Sequence, residues 1–185
     1  MKQEISDLFP LSRQVIQAEI FNLESLLHFT QQLPYGRNKN RTDLSLVLRE
    51  RKGTCSSKHA FVKKIAEENS WNNIQLFIGI YKMNHLNTPK IGNSLMDSGL
   101  EYIPEAHCYL KIDGQAIDIT SPSAAFENVK NDILEEHEIN STQVNTFKVD
   151  LHQQFLKTWI LENEVTNTFD EVWALREMCI ENLSA

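Results

Sequence analysis

His107-Cys108-Tyr109-Leu110-Lys111-Ile112-Asp113-Gly114-Gln115-Ala116-Ile117-Asp118-Ile119-Thr120 is the stretch on which the reading of this chain turns. Asp-Gly between two apolar runs suits a two-residue hairpin turn, because both central residues of that turn need positive φ. The turn sets a register: Ile112 opposite Gln115, Leu110 opposite Ile117, Tyr109 opposite Asp118 and His107 opposite Thr120. Strand alternation then gathers Cys108, Leu110, Ile112, Ile117 and Ile119 on one apolar face. His107 and Asp118 share the other face as diagonal neighbours, with Cα atoms about 7 to 8 Å apart. A slip of one residue would carry Asp118 to the apolar face, where an unpaired carboxylate is costly, so the register is strongly specified. A carboxylate that holds one imidazole nitrogen while the other takes a thiol proton is the arrangement nucleophilic catalysis needs. A structural His-Asp hydrogen bond satisfies the same pattern.

The thiol lies upstream, in Arg51-Lys52-Gly53-Thr54-Cys55-Ser56-Ser57-Lys58-His59-Ala60. Thr54 can accept from the first free amides of a helix, and Ala60, Phe61, Val62, Ile65 and Ala66 continue it, so Cys55 is expected in the first turn. There the macrodipole and unpaired amides favour a thiolate and can also hold an oxyanion. Gly53, lacking Cβ, is expected to let the chain turn sharply and to leave room beside the sulfur for a substrate backbone. The competing reading is a small buried cysteine at a helix start.

Around this centre, apolar spacing from Val15 to Leu33 predicts one helix or two short ones, stopped by Pro34 and Gly36. A polar loop over residues 35 to 41 precedes a short helix capped by Asp43. Ile74, Leu76, Ile78 and Ile80 alternate as a buried strand. Met83 to Pro104 reads as a lid or as an insertion with its own short helix. Beyond Ser123 the expectation is helices, through Phe155, Trp159, Trp173, Leu175 and Met178, with Glu135-Glu136-His137-Glu138 as a solvated helix face. Cys108 and Cys179 read as buried apolar residues. Cys55, His59 and His107 could approach a metal ion together, but no fourth ligand is in view, and no metal is expected.

The chain has 185 residues, 41% hydrophobic and 23% charged, which is the composition of one ordinary folded domain over residues 1 to 185. Its formal charge of -7 argues against nucleic acid and anionic lipid as partners. No apolar run approaches the roughly 20 residues that cross a bilayer, and the first residues lack the apolar centre of a signal peptide. A cytoplasmic protein away from membranes is therefore expected. Three cysteines at wide spacing fit reduced thiols better than a disulfide framework.

Residues 51 to 60 resemble the nucleophile segment of transglutaminase-like proteins, in a bacterial-type form. Ala106-His107-Cys108-Tyr109 and Ala116-Ile117-Asp118-Ile119-Thr120 resemble that superfamily's histidine and aspartate strands, with Tyr109 as the aromatic two residues after the histidine. The resemblance covers roughly residues 33 to 122, leaving residues 123 to 185 as additional helices. It implies an α+β fold of the papain-like Cys-His-Asp kind, an antiparallel sheet packed against helices with the nucleophile at a helix N-terminus. It also implies thiol chemistry on an amide or ester carbonyl, hydrolysis or acyl transfer on a peptide or protein, with Cys55, His107 and Asp118 as the triad and no cofactor. The superfamily includes members without activity, so a silent peptide-binding or protein-binding module is the alternative. No tryptophan stands close before Cys55, where animal transglutaminases place an oxyanion partner. The Cys55 amide and the Tyr35 hydroxyl are the candidates instead, with Gly53 and Tyr109 as further substrate-side candidates. No acidic loop resembles a calcium site.

Overall fold

The structure, a computed structural model, describes residues 3–183. The N-terminal apolar spacing resolves into two helices, α1 (Pro10–Gln17) and α2 (Leu23–Gln32), the second closed by a reciprocal Asn22/Ser25 capping box. Helix α3 (Ser45–Arg49) follows the polar loop, with Asp43 accepting from the Ser45 amide at 3.0 Å. Helix α4 (Cys55–Glu68) begins at the thiol, and Thr54 and Ser57 cap its start reciprocally.

The sheet has the order β3-β2-β1-β4 and is antiparallel throughout: β1 (Ile74–Met83), β2 (Ile103–Ile112), β3 (Gln115–Ile117) and β4 (Ile133–Ile139). Two helices, α6 (Thr146–Glu162) and α7 (Phe169–Asn182), complete the chain, and a four-residue helix α5 (Ser94–Asp97) lies between β1 and β2. This is an α+β fold with an antiparallel sheet between helices. Leu76, Ile78 and Ile80 pair with Leu110, Cys108 and Ala106, and this face joins Phe61, Val62 and Ile65 of α4 in one core. Tyr81, Met83 and Ile103 face the other way, into a second core with Leu156, Trp159, Val172 and Cys179 of α6 and α7.

Asp113 and Gly114 have φ of 51° and 79°, as a two-residue turn of this kind requires, and Ile112 pairs with Gln115 and Leu110 with Ile117. The ladder ends there. Tyr109 and His107 have no partners on the third strand, because residues 118 to 120 leave the sheet toward α4: the Ile119 amide donates to His59 Nε2 at 2.9 Å and Lys58 Nζ donates to the Thr120 carbonyl at 2.6 Å. The edge of β2 from Ile103 to Tyr109 is consequently free of a strand neighbour on that side.

One expectation needs correction, and one pair of alternatives is decided. The acidic run 135 to 138 belongs to strand β4, beside β1, and not to a helix. Only Ile139 is buried in it, so its sequence shows little apolar period, and its charges mark a sheet edge that resists pairing with another chain. Of the two readings for residues 83 to 104, the structure shows the insertion with its own short helix, Ser94–Asp97. Ile91 and Leu95 are buried in the second core, and Asn182 of α7 bonds the Ile91 carbonyl at 2.8 Å. Among the described residues no helix is long and apolar enough to cross a membrane.

Candidate active site

The site is assembled on the free edge of β2. His107 points from that strand with Nε2 2.8 Å from Asp118 Oδ2, and the Thr120 amide donates to Asp118 Oδ1 at 2.9 Å. Both carboxylate oxygens are thus used, one to hold the imidazole and one to close its own loop. Tyr81 meets the His107 ring edge-on at 6.0 Å between centroids, and Tyr109 stacks beside it at 6.4 Å. These rings leave the imidazole little freedom to turn away. With Nε2 committed to Asp118, Nδ1 is the nitrogen left to face the Cys55 thiol, whose charge and that of His107 act on each other.

Electrostatics follow from this packing. Burial pushes the Cys55 thiol up, but Lys148, then His107 by charge and hydrogen bond, and the Cys108 amide pull it down further, to about 6. Burial works against protonation of His107, and Asp118 and Cys55 outweigh it, so its pKa stands well above the usual histidine range. Asp118 is held well below the carboxylate range: burial opposes this, and His107 prevails. At neutral pH the arrangement favours a thiolate beside an imidazolium, with a carboxylate behind it.

A cavity of about 480 Å³ opens on the Cys55 side of this group. Its walls include Tyr35, Ser56, Glu105, Lys148, Trp173 and Arg176. Cys55 is 8% exposed. In the first turn of α4 the Ser57 amide is taken by Thr54 Oγ1 and the Lys58 amide by the Thr54 carbonyl, while the Cys55 and Ser56 amides make no hydrogen bond among the described residues. Burial, then the nearby Cys55 charge, raise the Tyr35 pKa well above its usual value, so its hydroxyl keeps its proton and can donate.

Comparison of the chain with protein-family models, curated proteins and solved structures finds no match.

The structure brings Cys55, His107 and Asp118 together and sets Tyr35 on the cavity wall beside them. Gly53 and Tyr109 do not line that cavity. A Cβ on Gly53 would stand 2.8 Å from both Lys58 Cγ and Ser57 Oγ, so the glycine makes room for the helix cap and the Lys58 stem, not for substrate. Tyr109 is fully buried, stacked on Phe77 and His107, with its hydroxyl bonded to Glu136. It supports the histidine from the far side.

His59 also differs from the metal alternative. Its Nδ1 bonds the Cys55 carbonyl oxygen at 2.7 Å, which can only accept, so Nδ1 carries the proton and Nε2 accepts from the Ile119 amide. Both nitrogens are used, and burial drives its pKa down to about 4. It fastens residue 119 to α4. Among the described residues no three His, Cys, Asp or Glu side chains converge as a metal site.

Sequence reasoning missed the charged side of the cavity. Glu105 accepts from Arg176 Nε and Nη2 at 2.6 Å each, Arg176 and Arg37 share Glu177, and Lys148 Nζ donates to Ser56 Oγ at 2.7 Å. A signal was present for Glu105 and for Lys148. Glu105 is two residues from His107 on the same strand face, and Lys148 and His152 stand four apart at the head of the apolar stripe that Phe155 and Trp159 continue.

Proposed function

We propose that this chain is a cysteine-nucleophile enzyme of transglutaminase-like type, acting on an amide or ester carbonyl of a peptide or protein. The observation that carries the reading is a His107 imidazole held through Nε2 by Asp118 at 2.8 Å, together with a thiol, Cys55, in the first turn of α4 whose pKa Lys148 and then His107 lower. The Cys55 thiolate attacks the carbonyl carbon and the carbonyl electron pair moves to oxygen, which the Cys55 and Ser56 amides and the Tyr35 hydroxyl can receive. Collapse of that intermediate expels the amine or alcohol, which takes its proton from His107. Water or an amine then attacks the thioester, with His107 as base, and completes hydrolysis or acyl transfer.

The decisive experiment is incubation with p-nitrophenyl esters and glutamine-containing peptides, followed by intact mass and site mapping. The expected outcome is an acyl mass on Cys55 that hydroxylamine removes and that is lost in Cys55→Ala. Acylation spread over the three thiols at the rate of free cysteine would count against the reading. A second reading, a peptide-binding module without turnover, is favoured by the low exposure of Cys55 and by the absence of His107 from the cavity wall. It predicts saturable peptide binding with no thioester.

A further inference from the structure

Ser56 lies between two sulfurs and an ammonium. Its hydroxyl accepts from Lys148 Nζ at 2.7 Å and from the Cys108 thiol at 3.7 Å, and it stands 3.8 Å from Cys55 Sγ. A hydroxyl has two lone pairs and one proton. With both lone pairs occupied, the proton is left for the third neighbour, the Cys55 sulfur.

Lys148 is 8% exposed and makes no ion pair with a carboxylate among the described residues, since both oxygens of neighbouring Glu105 belong to Arg176. An ammonium buried without an opposite charge ordinarily loses its proton. Here burial pushes Lys148 in that direction, and the Cys55 charge first, then Cys108 and Glu105, overcome it. The thiolate is the anion that keeps Lys148 charged. Cys108 stands behind Cys55 in that role, because burial, with the Cys55 charge beside it, raises its pKa against the pull of Lys148 and favours the thiol that donates to Ser56.

We propose that Lys148 and Ser56 form a relay that holds Cys55 as the thiolate, with Lys148 a positioning residue that reaches the sulfur through the Ser56 hydroxyl. The relay rests on Cys55 being the nucleophile and extends that reading to α6, a helix outside the triad. It gives the sulfur two cationic supports on different sides: His107 from β2, and Lys148 from α6 by way of Ser56. Other charged or titratable groups facing Lys148 are Glu105, Arg176 and His152, and those facing Cys55 are Tyr35, Lys58, Tyr81 and Cys108.

The test is iodoacetamide alkylation of Cys55 against pH, mapped by mass spectrometry, in the full chain and in Lys148→Met, Lys148→Arg, Ser56→Ala and the Lys148→Met/Ser56→Ala pair. The wild-type midpoint is expected near about 6. Lys148→Met and Ser56→Ala should each raise it, Lys148→Met by about one pH unit or more. The pair should go no further than the larger single shift, and Lys148→Arg should restore most of the loss. An unmoved midpoint in Lys148→Met with native circular dichroism overturns the relay, and so do fully additive shifts, which would mean that Lys148 acts without Ser56. If Lys148→Met does not fold, Ser56→Ala decides alone, since it deletes one oxygen and has the same readout. A wild-type midpoint like that of free cysteine would sink the nucleophile reading itself, whereas a low midpoint that no variant moves sinks only the relay.

Discussion

Single atoms decide the chemistry around His107. An asparagine at 118 could still accept from the Thr120 amide, but it would turn an N–H donor toward His107 Nε2, forcing the proton onto Nδ1, where the thiol proton has to arrive. Asp118→Asn is therefore expected to leave circular dichroism and melting close to wild type and to lower turnover by about a hundredfold or more. Retention of full activity would reduce the triad to a dyad. Because Cys55 is lowered to about 6 and His107 raised above its ordinary value, the ion pair exists between those limits. The rate against pH should rise through an apparent pKa of about 6 and fall at higher pH, above the ordinary histidine value, as His107 deprotonates. A profile that rises only near the value of a free thiol would contradict the pairing. His59 makes a different prediction, since its two bonds are structural. His59→Leu strands the buried Ile119 amide and should cost about 1 to 3 kcal/mol in urea unfolding.

Between elements, the start of α4 and the free edge of β2 depend on each other. Thr54 and Ser57 cap the helix reciprocally, the Gly53 amide and carbonyl bond Pro34 and Gly36, and Lys58 reaches the Leu33 and Thr120 carbonyls. This web orients the first turn, and with it the thiol. Gly53→Ala would drive a Cβ to 2.8 Å from Ser57 Oγ and Lys58 Cγ. The expected result is a loss of about 0.5 to 2 kcal/mol, the usual worth of a helix cap, measured by urea unfolding, together with slower Cys55 alkylation at neutral pH. Unchanged stability and reactivity would mean that the cap tolerates the displacement. On the opposite side of the sheet, β4 shows how an edge strand can be made mostly of charges. Its pairing with β1 is supported on the neighbouring strands, where the Gln75 amide donates to Glu138 at 2.8 Å and Lys111 pairs with Glu136 at 3.0 Å.

Across the whole molecule, the two cores meet at Glu105. Its carboxylate is buried on β2, and Arg176 of α7 holds it with two bonds at 2.6 Å, so this pair fastens the second helical layer beside the cavity. Removing Glu105 leaves Arg176 with Glu177 as its carboxylate partner, so the loss should stay below the about 3 to 5 kcal/mol typical of a buried charge stripped of every partner. Glu105→Gln should accordingly loosen α7, seen as reduced urea stability and altered tryptophan fluorescence, since Trp173 lies under the Arg176 guanidinium at 5.2 Å. Burial tends to raise the Glu105 pKa, and Arg176 with His152 overcomes it, lowering it to about 2. A depressed carboxylate stabilises the fold above its unfolded value of 4.5 and loses that contribution as pH falls toward about 2. Wild-type stability should drop across that interval, and Glu105→Gln should flatten the drop. An equal acid slope in both proteins would remove Glu105 from the account.

The Asp113-Gly114 turn and the alternation on either side of it determined by themselves the pairing of Ile112 with Gln115 and Leu110 with Ile117, which carries Asp118 to the neighbourhood of His107. Thr54 and the apolar spacing after it likewise determined that α4 begins at Cys55. These are local signals, carried by turn chemistry, caps and period, which act over a few residues. The end of the hairpin ladder at Ile117 depended on His59, distant in sequence, taking the Ile119 amide. That the acidic run forms β4 depended on β1 offering it an edge, since neither its composition nor its period specifies a strand. The cavity, the Glu105–Arg176 pair and the contact of Lys148 with Ser56 join residues up to 92 positions apart. No local pattern encodes which buried charge will find which partner, and only the packing of α6 and α7 against β2 decides it.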